Sequence, residues 1–511
     1  MAFVRKNVWE LGGDWPEPIL WYARGVKAMK ARPLNEPTAW RFFAAIHGID
    51  QQLWGQLGYL SAADTLPSNA DIQSYWSQCQ HGSWYFLPWH RGYLIAFEAV
   101  VRDAVTKLGG PADWALPYWN YFKPNENPLP AAFASRDWPD GTGDNPLFVA
   151  ERYGPNNDGN VSVDLDQVNL TALGDPVFTG AANGGDPGFG GVDTGFSHAG
   201  QVHGALETQP HDLVHGLVGG GDPQSNLPGL MSDPDTAGLD PIFWLHHGNI
   251  DRLWEVWREN SSGHADPSDP NWVQGPTAVG SRAFLLPMPG GNSWTYTPGE
   301  MGDLATLGYS YDDLSSPQAT TQIALRMQRL GMSSAKAQSF ARIAMPERKN
   351  VELLGANTGS LRVVDGEVKT SLALDPAVQR KVTQKLESIA GVAPTPPDRV
   401  FLNLENVRGL YDAVAFNVYV NLPDDENPAK HPDVLAGSLA LFGVRKATVA
   451  SGGQGGDGLT FVLDITHVID ALHLAGAFNL AKLQVRLAPL KPVPEGAQIS
   501  IGRVSVYRQG S

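Results

Sequence analysis

Two hydrophobic rhythms divide the chain. Up to about residue 312, apolar positions recur at intervals of three and four, in stretches separated by long loops rich in Gly, Asn and Asp. Residues 38–60 read as one amphipathic helix opened by Glu36-Pro37-Thr38, and a second long helix runs from His90 to about Leu108. Pro88 fits the start of the latter, where a missing N–H costs no hydrogen bond. Residues 154–195 keep no period and read as a surface loop with at most a short strand. From 313 to 393 the chain is more charged and helix-prone, with Ile323, Met327 and Leu330 on one face of a helix over 321–345. Prolines at 394, 396 and 397 then mark a stiff boundary. Beyond them the period becomes two: Val414, Phe416, Val418 and Val420 alternate with Ala415, Asn417 and Tyr419. Similar runs at 459–465, 483–487 and 499–507, with a turn at 451–453, give six or so short strands, the pattern of an antiparallel β-sandwich or small barrel. The expected organisation is a mainly α domain over 1–312 (a four-helix bundle with long loops), a helical and Pro-rich linker over 313–397, and a β domain over 398–511.

Composition narrows the function. The 37 basic and 53 acidic residues leave a formal charge of −16, which argues against nucleic acid and anionic membrane, since both demand concentrated positive charge. No apolar run approaches the roughly 20 residues of a membrane span. The first ten residues carry no apolar core ahead of a cleavage site, so no signal peptide is visible and the cytoplasm is the expected compartment. The single cysteine, Cys79, excludes an intrachain disulfide framework and a zinc finger.

The histidines carry the chemistry. Of 13, several are mounted on the helical segments. His47 lies within 38–60, His90 opens its helix, and His211 and His215 stand four apart, on one helical face over a single turn. His246 and His247 are adjacent, so about 100° of helix separates them and only one can face a shared interior. Four helices each bringing a histidine is how a bundle builds a metal site in its core. His198 and His203, in a Gly-rich loop, and His431, His467 and His473 near the C-terminus read as ordinary structural residues. A zinc protease of the His-Glu-x-x-His type would need glutamate where Asp212 stands, and a di-iron bundle would need paired Glu-x-x-His elements that these helices lack. Six imidazoles suit copper best, while the chemistry alone leaves zinc, in a structural domain, as an alternative.

Two motifs then resemble a known family. The run from His81 to Arg91, HGSWYFLPWHR, resembles the first copper motif of the type-3 copper proteins: tyrosinases, catechol oxidases and molluscan-type hemocyanins. His211-Asp-Leu-Val-His215, followed by the DPIFWLHH run ending at His247 and by Asp251-Arg252, resembles the second. Tyr309-Ser-Tyr311 is similar to the tyrosine motif that closes the catalytic domain, and 416–420, 435–438 and 499–507 resemble the C-terminal β domain of plant polyphenol oxidases. The resemblance implies two copper ions, one held by His47, His81 and His90 and the other by His211, His215 and His247, with His246 left a structural role. It also implies a thioether between Cys79 and His81, which form the family's Cys-x-His.

The implied activity is copper-dependent oxidation of phenols by O2, with ortho-hydroxylation of monophenols and oxidation of o-diphenols to o-quinones. A catechol oxidase or o-aminophenol oxidase without efficient hydroxylation is the alternative within the class, and a hemocyanin-like oxygen carrier the alternative outside it. The partners implied are small phenols and O2, and a homo-oligomer is compatible with the sequence. Glu207 resembles the family glutamate that holds a water near the second copper, with helix N-terminal capping as its plainer role. Asp212 stands where efficient tyrosinases place an asparagine that orients that water, so Asp212→Asn is expected to raise the monophenol rate relative to the diphenol rate. Asp251 and Arg252 are expected to form a buried pair, and Phe243, Trp244, Trp254 and Trp257 to be core. The β domain holds no ligand cluster. It could cover the site with a loop at 464–478, through Leu472, Leu474 or Phe478, or it could merely stabilise the fold.

Overall fold

The computed structural model describes residues 3–510 apart from 140, 142, 199, 262, 316–321, 342–349, 365, 390–396, 425, 450–455 and 479–480. The Pro-rich boundary at 394–396, the turn at 451–453 and the ends of the 321–345 segment fall outside the described residues.

The N-terminal part is built around two long buried helices, Phe86–Lys107 and Ile242–Asn260, flanked by Glu17–Lys30, Trp40–His47 and Leu213–Gly219. Large aromatic side chains fill the space between them: Trp40, Phe97 and Trp244 are fully buried and pack ring on ring. The single helix expected over 38–60 is two. It stops at His47 because Gly48 turns to extended backbone against Asp235, and Asp50 then caps a new helix, Gln51–Gln56, by accepting from the N–H groups of Gln52 and Leu53. The break leaves His47 on a helix end, pointing inward.

Segment 154–195 is a loop with short strands, as expected, but its later part, residues 184–192, is buried rather than on the surface. Its two-residue strands Thr179–Gly180 and Gly191–Val192 pair in parallel, and Phe189 is fully buried with its ring stacked 4.5 Å from that of Trp257. Gly184, at φ +100°, lets the loop pass against Tyr507 of the β domain, where a side chain would not fit. Aromatic burial, not a regular period, is what orders this segment.

Asp251 and Arg252 do not pair with each other. Asp251 accepts from Arg5, Arg91, Tyr309 and Tyr311, and so ties the N-terminal strand and the Tyr309–Tyr311 strand to the bundle. Arg252 donates instead to Asn249 and to the carbonyl of Asp313. Adjacent helical positions point to different neighbours, which is why the pair separates.

The C-terminal part is one antiparallel sheet of nine strands: residues 398–511 supply six of them, as expected, and the segment before supplies the rest. Its order is Leu435–Ala440, Ala415–Val420, Lys482–Pro489, Val368–Leu374, Asn350–Ala356, Ser500–Gly510, Arg399–Arg408 and Leu459–Asp464, with the short Leu361–Arg362 beside Ser500–Gly510. The sheet curls towards closure, since Gly437 on its first strand lies against Leu463 on its last, so the barrel and not the sandwich describes it. Three of its strands, Asn350–Ala356, Leu361–Arg362 and Val368–Leu374, come from the segment assigned above to a linker. That segment also supplies three helices: Gln322–Arg329, Ser334–Ala341 and Pro376–Ser388. Gly331, at φ +97°, stands between the first two, where one helix was expected.

Phe442 and Ala440 belong to the sheet by sequence, yet they are buried in the hydrophobic core of the helical part. Around them the two parts are joined by ion pairs. Arg445 reaches Asp50 at 2.7 Å, Asp233 at 2.9 Å and Asp235 at 3.2 Å, and Lys446 also pairs with Asp235. On another edge Arg399 reaches Asp175 at 2.6 Å and also pairs with Asp186.

Candidate metal centre

Seven histidine rings converge in the centre of the bundle. His47 ends its helix; His90 lies in the first turns of Phe86–Lys107; His246 and His247 sit one turn into Ile242–Asn260. His81 is on the loop before Phe86. His211 lies just after a kink at Gln209, whose backbone is extended (φ −142°, ψ 119°), and His215 in the α-helix that follows. The His211 and His215 rings are 4.5 Å apart, so the four-residue spacing does bring them together.

Ligand atoms group into overlapping sets. The rings of His47, His90 and His247 form one, His47, Cys79 and His81 another, and His211, His215, His246 and His247 a third, each within 4.8 Å. His81 also lies 5.2 Å from His47 and 5.4 Å from His90, ring centre to ring centre. The six histidines expected as ligands therefore meet in one pocket. His246 is there as well: its Nδ1 is 3.3 Å from the Tyr121 hydroxyl, while its Nε2 faces the third set.

The donor chemistry of these rings suits a metal. Nδ1 of His47 donates to the Pro234 carbonyl at 2.7 Å, that of His90 to Phe86 at 2.8 Å, and that of His215 to Met231 at 2.7 Å. Each bond fixes the tautomer and turns an unprotonated Nε2 inward. The Nε2 atoms of His47, His81, His90 and His211 are buried and have no protein partner. Such orphaned groups cost about 1–3 kcal/mol each, a cost that metal coordination removes. Burial lowers His47 to about 4 and holds His81, His90, His211, His215 and His247 well below the usual range, with further lowering from neighbouring imidazoles. The rings are thus neutral, as ligands must be. No carboxylate stands among them, so an all-nitrogen set fits copper.

Beside the rings is a second buried group that the sequence did not assemble: His203, Glu207 and Asp212. Glu207 accepts from the Gly82 N–H at 2.9 Å, an approach opened by Gly82 at φ +56°. Both Asp212 oxygens are engaged by ring nitrogens. One oxygen is 2.9 Å from Nδ1 of His211 and the other 2.7 Å from Nδ1 of His203. The expected rise in monophenol rate for Asp212→Asn loses its basis, because an amide offers one acceptor where two ring N–H groups need two. Burial, with Asp212 adding, pushes Glu207 up to about 8, against the pull of His203. Burial disfavours the charged ring of His203, but Glu207 and Asp212 outweigh it and raise the ring to about 9. A signal for His203 did exist: residues 203, 207, 211 and 215 form a ladder of four-residue steps, of which only the last three were read as chemistry.

Cys79 is buried, with Sγ 3.4 Å from Nδ1 of His81 and 3.0 Å from Nδ1 of His198. His431 and His467 bond Glu426 and the Leu435 carbonyl, and among the described residues neither they nor His473 joins a metal-binding set.

The β domain supplies the remaining wall. The Phe442 ring stacks on His215 at 4.2 Å and 25°, and stands 5.5 Å from His81 and 5.6 Å from His211. The covering residue is therefore not in segment 464–478. Most of that segment is a helix, Thr466–Leu474, with Leu472 and Phe478 buried in the sheet's own core and Leu474 turned to solvent.

The comparisons with known proteins agree with this geometry. Residues 37–163 and 149–260 match the common central domain of tyrosinase, and residues 350–509 match a domain of unknown function, DUF7868. Tyrosinase HcTyr1 of Hahella sp. (strain CCB-MM4) is 32% identical over 519 residues, covering 99% of each chain. A chloroplastic polyphenol oxidase of Malus domestica is 26% identical over 82% of this chain and 65% of its own. The fold matches that of latent apple tyrosinase with a TM-score of 0.59 at 20% identity, over 100% of this chain and 97% of that one. The chain belongs to the tyrosinase family of type-3 dicopper proteins. It is an oxidoreductase of the tyrosinase and polyphenol oxidase type, and copper-dependent oxidation of phenols is its chemistry.

Proposed function

We propose that the chain is a latent tyrosinase that hydroxylates monophenols at the ortho position and oxidises o-diphenols to o-quinones. His47, His81 and His90 hold one copper; His211, His215 and His247 hold the other; His246 is a structural neighbour held by Tyr121. When bound, the copper pair supplies O2 binding and the redox chemistry. The observation that carries the reading is Phe442: an aromatic ring already lies flat on His215, where a phenol ring would lie. Glu207, buried beside His203 and Asp212, is the group to hold the phenolic proton. Monophenol hydroxylation is the finer claim, and it is tested by initial rates on tyramine and on dopamine with copper loading measured. A tyramine rate indistinguishable from zero in fully loaded protein leaves a catechol oxidase.

In this reading the β domain is a lid, clamped by Arg445 and Lys446. Arg445 faces Asp50, Asp233, Asp235 and Asp412, and Lys446 faces Asp235. Burial alone would raise the Asp235 carboxyl, but Lys446 and then Arg445 lower it to about 2 from an ordinary 3.8. A carboxyl depressed in the folded state adds stability that is complete above its ordinary value and is lost as pH falls through its folded value. The urea midpoint of the full chain is therefore expected to drop as pH goes from about 4 towards 2. Lys446→Met should shrink that drop, and an equal drop in both proteins would remove Asp235 from the account.

The same reading includes a thioether between Cys79 and His81, supported by the sulfur lying at the edge of that ring. Copper-loaded and then denatured protein is expected to show no thiol towards a thiol reagent, and a mass lower by two hydrogens. One freely reacting thiol per chain overturns the cross-link.

A further inference from the structure

We infer that His203 is a positioning residue of the metal centre: it fixes the Asp212 carboxylate, which in turn fixes the ring of His211. The inference rests on His211 being a ligand, as proposed above. His203 and Asp212 are 2% and 0% exposed, so no solvent competes for their hydrogen bonds. An ionised carboxylate only accepts, so the two contacts to Asp212 are both Nδ1–H donations, from His203 at 2.7 Å and from His211 at 2.9 Å. The second donation sets the tautomer of His211 and leaves its Nε2, which has no protein partner, as a lone pair aimed into the ligand set. With a single partner a carboxylate turns readily about its last side-chain bond, whose preferences are broad. A donor on each oxygen removes that freedom. Three other rings, His47, His90 and His215, use the main-chain carbonyls of Pro234, Phe86 and Met231 for the same purpose, and those need no brace. His211 is supported instead by a side-chain carboxylate, which can turn and so needs a further residue behind it.

His203 stands outside any helix, and the β domain holds it. Val202 bridges Thr460 in parallel, the Thr460 N–H donates to the Gln201 carbonyl at 2.6 Å, and Gln201 donates to Asp457 at 3.0 Å. The Phe461 ring lies 5.9 Å from the His203 ring, at 61°. The sheet therefore touches the metal centre by two separate routes. Through Phe442 it covers the ligands, and through the arm at 201–203 it steadies one of them.

The test is copper retention by loaded full-length protein challenged with a copper chelator, for His203→Leu, which removes the donor, and His203→Asn, whose amide N–H falls near the place of Nδ1. Loss of a residue that supports a metal ligand weakens metal binding about 10- to 100-fold, and that is the loss expected for His203→Leu. His203→Asn should recover most of it, and in an Asp212→Ala background His203→Leu should add little. Should His203→Leu not fold, His203→Phe, also without a donor, takes its place. Wild-type retention by the variant lacking the donor, an Asn variant as poor as it, or a full additional loss in the Asp212→Ala background would overturn the inference. His211→Ala is run alongside. If it keeps both coppers, the ligand assignment fails; if it loses one while His203→Leu retains copper normally, only the role of His203 fails.

Discussion

Phe442→Ala is expected to raise the catechol rate of the uncut chain at least about tenfold. Apparent affinity falls with the fraction of molecules whose site is open, and each 1.4 kcal/mol that holds the lid shut costs a factor of ten. The Phe442 ring is buried on three of the proposed ligands, so a closed chain has no room for a phenol. Truncation to alanine leaves a cavity the size of one aromatic ring, which catechol can fill. It also costs about 3–5 kcal/mol of packing, so the variant should melt at a lower temperature. The substrate profile separates this from loss of the whole lid. With the clamp of Arg445 and Lys446 intact, a ring-sized opening should favour catechol over bulky diphenols, whereas removal of the β domain should favour the bulky ones. Equal rates for Phe442→Ala and wild type on catechol, with equal copper, would mean that Phe442 does not block the site.

His215→Ala should have the opposite effect, lowering the catechol rate by more than the roughly 100-fold that loss of a residue supporting a ligand can cost. His215 carries two functions in the proposed site. Its ring is oriented by the Met231 carbonyl and its Nε2 lies 3.4 Å from that of His247, while its face supports the aromatic ring above. Its loss removes a ligand and the stacking surface together, so copper content and rate should fall together. A His215→Ala protein that keeps its full copper and more than a tenth of the wild-type rate would contradict both roles.

Much of the centre could be read in the sequence because histidines on helices obey a local rule. Spacing alone put His211 beside His215 and made His246 and His247 alternatives. What escaped depended on distant residues. His203 is in an irregular loop, its bond to Asp212 spans a kinked turn, and its neighbour Phe461 arrives only with the β domain. Phe442 looks like any apolar residue at a strand end, and nothing local distinguishes it from Leu472 or Phe478, which face the other way. The strands Asn350–Ala356 and Val368–Leu374 were hidden by residues that favour helices, such as Leu353, Leu354, Lys369 and Ala373. Both lie inside the sheet with neighbours on either side, and that pairing outweighs propensity. The helix over 38–60 was broken by a tertiary contact, Gly48 against Asp235, that no periodicity announces.

The central claim is that His247, and not its neighbour His246, is a ligand, and that six histidines hold two coppers. His247 joins both its own set and that of His47 and His90, with its ring stacked 4.4 Å from His90, whereas His246 is drawn towards Tyr121. Copper per chain, measured by elemental analysis on purified and reconstituted protein, tests this directly. The account predicts two for wild type and for His246→Ala, and about one for His247→Ala. A His246→Ala protein that loses a copper while His247→Ala retains both would contradict it.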